Sequence, residues 1–276
     1  PPGHHAVRDF GMGYCMFNNI GVAIEHLRAT TDLKKFAVID WDVHHGNGTQ
    51  AVFYNDPNVL TISLHQDQLY PRHEGTVEEM GDGAGKGFNI NIPIPAGSGD
   101  GAYRYAFNNV VKPAIERFEP EFIFIASGFD ASYWDQLSRM ALHAYTYRWM
   151  AEETLKLADR FAKGRVVATH EGGYSEVYVP FSWFEPMWLE NLGFAVGGDD
   201  ARQVHASVLP GASPSRYRTQ ARASAARCAA LAVREYNRAI ERETGIENLV
   251  TIIETPTMES FSALCKHEAV RLLLVT

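Results

Sequence analysis

The segment Asp40-Trp41-Asp42-Val43-His44-His45-Gly46-Asn47 gathers two carboxylates and two imidazoles ahead of a Gly-Asn-Gly turn. Carboxylate oxygen and imidazole nitrogen are the usual protein ligands of divalent metals, and three of them with coordination left open suit a catalytic ion. A lone aspartate or histidine at a strand end more often caps the next helix or faces solvent. Asp40, Asp42, His44 and His45 standing together point instead to a metal-dependent enzyme. Other segments add matching chemistry: the imidazole pair of Pro1-Pro2-Gly3-His4-His5-Ala6, the acid of Gly128-Phe129-Asp130, and the phenol of His170-Glu171-Gly172-Gly173-Tyr174.

Strands must present these groups. The apolar run Lys35 to Ile39 reads as a fully buried parallel strand, and its alternation puts Asp40, Asp42 and His44 on one face with Trp41 and Val43 on the other. Further strands are expected over Val59 to Leu64, Phe88 to Ile92, Glu121 to Ala126 and Arg165 to Ala168. Helices are expected over Asn18 to Ala29, Gly46 to Tyr54, Gly101 to Phe118 and His143 to Phe161, with Gln66 to Gly87 and Pro93 to Gly99 as rim loops. Strands separated by helices make a mostly parallel α/β sheet, whose sites lie beyond the carboxyl ends of its strands.

The chain resembles the histone deacetylase superfamily of zinc amidohydrolases, nearest its class II and bacterial deacetylase-like branch. The resemblance runs from Pro1 to about Phe181 and rests on Pro1 to Ala6, Gly11 to Asn19, Asp40 to Gln50, Phe53-Tyr54, Thr61 to His65, Gly87 to Pro93, Gly128 to Asp130 and Glu171 to Tyr174. It implies a three-layer domain, a mostly parallel sheet flanked by helices, as in arginases and deacetylases. Asp42, His44 and Asp130 match the zinc ligands; a set this rich in oxygen also suits Fe2+ or Co2+. His4 and His5 match the tandem histidines, the first paired with Asp40 and the second with Asn47. A carboxylate partner favours imidazolium more than an amide does, which makes His5 the better general base and His4 the electrostatic stabiliser. Tyr174 matches the tyrosine that hydrogen-bonds the scissile carbonyl. Gly13, Tyr14 and Tyr70 match the walls of an acyl-lysine tunnel. Leu137 stands where a polyamine-selective relative has a glutamate. The resemblance further implies structural K+ near Asp40, Asp42, His44, Ser63 and Leu64, and a second monovalent cation near Phe53, Asp56, Val59 and Phe88.

The expected reaction is hydrolysis of the N-acetyl amide of acetyl-lysine or a similar small acylated amine. The runner-up is an acetylpolyamine amidohydrolase, and a reading of another class is an inactive piece that binds or oligomerises. Two-metal ureohydrolases need a further carboxylate two residues past the third ligand, where Ser132 stands here, so a single metal is expected. Asp135 and His143 read as a turn residue and a helix-start residue, and His65, His73 and His205 as surface histidines.

A net charge of −8 argues against direct nucleic-acid binding, which needs a basic face. Three scattered cysteines, Cys15, Cys228 and Cys265, fit a reducing cytoplasmic setting, and no apolar run is long enough to span a bilayer. Residues 1–185 are expected to form the catalytic domain, N-terminally incomplete because relatives carry a segment before the His-His motif. An apolar flank so uncovered would favour a partner or a homo-oligomer. Residues 186–276 read as a divergent, helix-rich region of unknown role, with an Ala- and Arg-rich helix over Arg216 to Arg242.

Overall fold

The computed structural model describes residues 1–175, Tyr178 and Val179, together with two short strands at Ile252–Ile253 and Leu273–Val275. The rest of the C-terminal region, including the helix expected over Arg216 to Arg242 and His205, Cys228 and Cys265, lies outside the described residues.

Every apolar run expected to be a strand is one: β1 (Phe36–Asp40), β2 (Val59–Gln66), β3 (Asn89–Ile94), β4 (Phe122–Ser127) and β5 (Val166–His170). With β6 (Ile252–Ile253) and β7 (Leu273–Val275) they form one sheet in the order β3-β2-β1-β4-β5-β7-β6, parallel at every described pairing. From β1 the chain builds outward through β2 to β3, then returns to place β4 on the other side of β1. That reversal between β1 and β4 opens a crevice at their carboxyl ends, the place where open α/β sheets bind ligands. The register pairs Asp40 with Ser63 on one side and with Ala126 on the other, bringing the three chain exits level.

Alternation along buried strands divides the core in two. Ala37, Ile39, Leu60, Ile62, Ile123 and Ile125 pack against α3 (Asp100–Ala106), α4 (Lys112–Phe118) and α5 (Ala144–Phe161) through Tyr103, Phe107, Ile115, Tyr147 and Leu157. Phe36, Val38, Val59, Phe122 and Phe124 face α1 (Asn19–Thr30) and α2 (Asn47–Phe53) through Ile20, Ile24, Leu27 and Phe53. The result is the expected three-layer α/β architecture. Trp41 and Val43 continue the first face, so the polar residues between them turn to the crevice.

Local signals set the helix ends. The Asn18 side chain accepts from Gly21 N at 2.8 Å and caps α1. His143 is the cap residue of α5, as expected for a helix start. The single helix expected from Gly101 to Phe118 is instead α3 and α4 joined by a π turn at Phe107–Val111. Pro113 accounts for this correction: it has no N–H, its ring crowds the carbonyl one turn back, and a widened turn absorbs the mismatch.

Candidate active site

Asp42 and His44 leave β1, Asp130 leaves β4, and all three are buried where the crevice opens. One ligand atom from each lies within 4.8 Å of the others. His44 Nδ1 is 3.0 Å from both Asp42 Oδ1 and Asp130 Oδ2. A ring nitrogen carries at most one proton, and that bond goes to Asp42, so among the described residues the buried Asp130 Oδ2 has no hydrogen-bond partner. Two carboxylates converging on one imidazole nitrogen, with an acceptor left over, fit a shared divalent cation by chemistry as well as spacing.

Electrostatics point the same way. Burial and the Asp42 carboxylate push Asp130 up to about 7. Burial opposes charge on His44, yet the Asp130 and Asp42 carboxylates beside its ring raise it to about 10. Burial opposes charge on Asp42 too, and His4 and His44 outweigh it, holding that carboxylate below its usual range. Among the described residues the pocket's negative charge is balanced by imidazolium, a role a bound cation can take over.

The tandem histidines stand beside these three residues with rings 4.0 Å apart. His4 Nδ1 meets Asp40 Oδ2 at 3.0 Å, and His5 Nδ1 meets Asn47 Oδ1 at 2.8 Å. An amide oxygen only accepts, so His5 carries its proton on Nδ1 and leaves a lone pair on Nε2. Burial opposes charge on both rings. The Asp42 and Asp40 carboxylates nevertheless raise His4 well above its ordinary value, whereas burial and the charged His4 lower His5 to about 3. The two adjacent histidines thus differ in basicity: the carboxylates outweigh burial at His4, whereas burial and the charged His4 outweigh the Asn47 bond at His5. Asp40 itself is pushed up to about 6 by burial, against the pull of His4.

Tyr174 closes the far side, its ring 6.3 Å from His44 and 6.1 Å from Tyr14. Burial and the Asp42 and Asp130 carboxylates raise its phenol, which stays protonated as a donor. Tyr14 is 73% exposed at the mouth, and Tyr70 stands edge-on to His5 at 5.0 Å and 6.2 Å from His44. Gly13 lies against His5, where a Cβ would fall 2.2 Å from Cδ2. Leu137 is exposed on the loop after Asp130. Ser63 and Leu64 are buried on β2, and Ser63 pairs with Asp40 in the register. Asp56 N donates to Phe53 O, Asp56 O accepts from Val59 N, and Phe88 O accepts from Thr61 N, so that second group clusters at the opposite end of β2.

Two acids make contacts that spacing did not reveal. Glu171 is buried; its Oε2 accepts from Gly3 N at 2.6 Å and His4 N at 3.0 Å, and its Oε1 from Thr169 Oγ1 at 2.7 Å. It ties the His-His segment to the end of β5. Asp135 is a turn residue, accepting from Leu137 N at 2.9 Å, but its other oxygen accepts from Tyr174 N at 2.7 Å. Both partners are backbone amides far away in sequence, and no residue pattern marks such contacts. His65 requires correction: it is buried rather than at the surface, bonded to Ser63 Oγ and Gly75 O at 3.0 Å each. Strand β2 runs on to Gln66 under the rim loop and carries His65 inside. His73 is exposed, as expected.

The histone deacetylase domain family profile matches residues 1–186. The chain is 51% identical over 181 residues to the histone deacetylase-like amidohydrolase of Pseudomonas aeruginosa, covering 66% of this chain and 48% of that protein. It is 42% identical over 175 residues to a probable deacetylase of Archaeoglobus fulgidus, covering 63% and 48%. The crystal structure of the HDA15 HD domain superposes with a TM-score of 0.63 at 35% identity, covering 71% of this chain and 56% of that one. The chain spans about half the length of the curated relatives it matches.

Proposed function

The chain belongs to the histone deacetylase family, and on that premise we propose that it hydrolyses the N-acetyl amide of acetyl-lysine or a similar small acylated amine. The observation that carries this reading is the meeting of Asp42, His44 and Asp130 within 4.8 Å, flanked by a neutral His5 and a protonated Tyr174. Zinc, general in this family, is the ion proposed for those three residues; when bound it supplies Lewis acidity to the amide carbonyl and to water.

The chain's own groups supply the rest. His5 Nε2 takes a proton from the attacking water, and the Asn47 bond keeps that nitrogen free to do so. The imidazolium of His4, held by Asp40, stabilises developing negative charge. The Tyr174 hydroxyl donates to the carbonyl oxygen as it becomes an oxyanion. The carbon–nitrogen bond then breaks, the leaving amine takes a proton from the imidazole pair, and acetate and free amine result. Tyr14 and Tyr70 offer apolar walls to a methylene chain, with Gly13 leaving room beneath. Leu137 brings no carboxylate to attract a polyamine, which favours acyl-lysine; comparing an acetyl-lysine peptide with an acetylpolyamine separates the two. Structural K+ at Asp40, Asp42, His44, Ser63 and Leu64 is part of the proposal.

Elemental analysis and acetate release from an acetyl-lysine peptide, measured on one preparation, test the reading. One equivalent of zinc with turnover is expected, and Tyr174→Phe lowers kcat by roughly a hundred- to a thousandfold. Full activity in that variant, or zinc bound without acetate released, overturns it; the second result favours a binding piece.

A further inference from the structure

We propose that Asp135 is a positioning residue for Tyr174, setting the phenol over the reacting carbonyl through the tyrosine's backbone. The inference rests on the deacetylase reading above. Tyr174 follows Gly172 and Gly173, a pair that leaves the chain wide conformational freedom just where its phenol must be held. The Asp135 carboxylate limits that freedom. It is buried, and its Oδ2 accepts from Tyr174 N at 2.7 Å.

The carboxylate has a firm base. Its Oδ1 accepts from Leu137 N, while Tyr133 N donates to Leu142 O at 2.9 Å and Leu142 N to Ala131 O at 3.1 Å. Those bonds fix the loop to Asp130, so one short segment carries a proposed metal ligand and the anchor of the oxyanion donor. Phe129 N also donates to Gly172 O at 2.9 Å. The placement of Asp130 relative to the Tyr174 backbone is thereby set by hydrogen bonds between two loops. A charge-assisted bond from a backbone amide is stiff enough for this, and small errors of placement cost rate rather than binding.

The test is a double-mutant cycle on the whole chain. Asp135→Ala is expected to lower kcat at least about tenfold, with KM and zinc content within about twofold of wild type. In a Tyr174→Phe background the same substitution costs less than about twofold, because the group it positions is gone. Asp135→Asn, which keeps one carbonyl oxygen for one of the two amides, falls between. Hydrogen exchange at the Tyr174 amide is read in the same proteins and is independent of turnover; it accelerates in Asp135→Ala. Unchanged exchange, a full multiplicative loss in the Tyr174→Phe background, or loss of zinc from Asp135→Ala each overturns the positioning role. If Tyr174→Phe lowers kcat but Asp135→Ala does not, this inference alone fails; if Tyr174→Phe is itself fully active, both readings fall.

Discussion

A few atoms decide what the crevice can do. Asp42 is the most heavily used: Oδ1 meets His44 Nδ1 and His44 N, while Oδ2 accepts from Gly172 N at 2.6 Å. Gly172 must be glycine, since a Cβ there would lie 2.1 Å from Asp130 Oδ2 and 2.6 Å from Asp42 Oδ2. Both carboxylates would have to retreat from the place where they converge. Gly172→Ala is therefore expected to weaken zinc binding by about ten- to a hundredfold, the range for disturbed partners of metal ligands. Competition against a chromophoric chelator measures it, and unaltered affinity would show that these carboxylates do not hold the ion.

Whole elements were legible wherever burial on both faces makes a continuous apolar run, as in β1 and β4, and helix α1 was marked by Asn18. The grouping of Asp42 with His44 was legible because neighbours in sequence stay neighbours at a strand exit. Contacts from acids to distant amides, such as Glu171 to Gly3 and Asp135 to Tyr174, leave no periodicity to read. The inside of β2's extension was missed for a related reason: only the rim loop folding back covers His65. That burial has a pH consequence. Burial outweighs the bonds to Gly75 and Ser63 and lowers folded His65 to about 4, whereas an unfolded histidine titrates near 6.5. As pH falls through 6.5 the unfolded chain gains a proton that the folded chain refuses. Stability from this group is complete above 6.5 and declines toward 4, by up to about 1.4 kcal/mol per pH unit. Urea unfolding at several pH values in that window should show a shallower decline in His65→Gln than in wild type, and equal slopes would refute the assignment.

At the scale of the whole molecule, the proposed ion joins the two strands at which the sheet changes its direction of growth. β1 supplies Asp42 and His44, β4 supplies Asp130, and no described hydrogen bond completes Asp130 Oδ2. Without a cation the folded state keeps crowded carboxylates out of water, a cost seen in Asp130 being pushed up to about 7. A ligand that binds only the folded state at a thousand times its dissociation constant stabilises it by about 4 kcal/mol. For a domain of this size that corresponds to a rise in Tm of roughly 8–16 °C. Stripping the protein with a chelator should lower Tm by that amount, and stoichiometric zinc should restore it. Asp130→Asn separates the two contributions: it removes a crowded charge, so the stripped variant should melt at or above the stripped wild type, yet zinc should raise its Tm little. If the variant responds to zinc as fully as wild type, the ion sits elsewhere; if its stripped form melts far lower, Asp130 holds the crevice together by bonds other than the one to a shared cation.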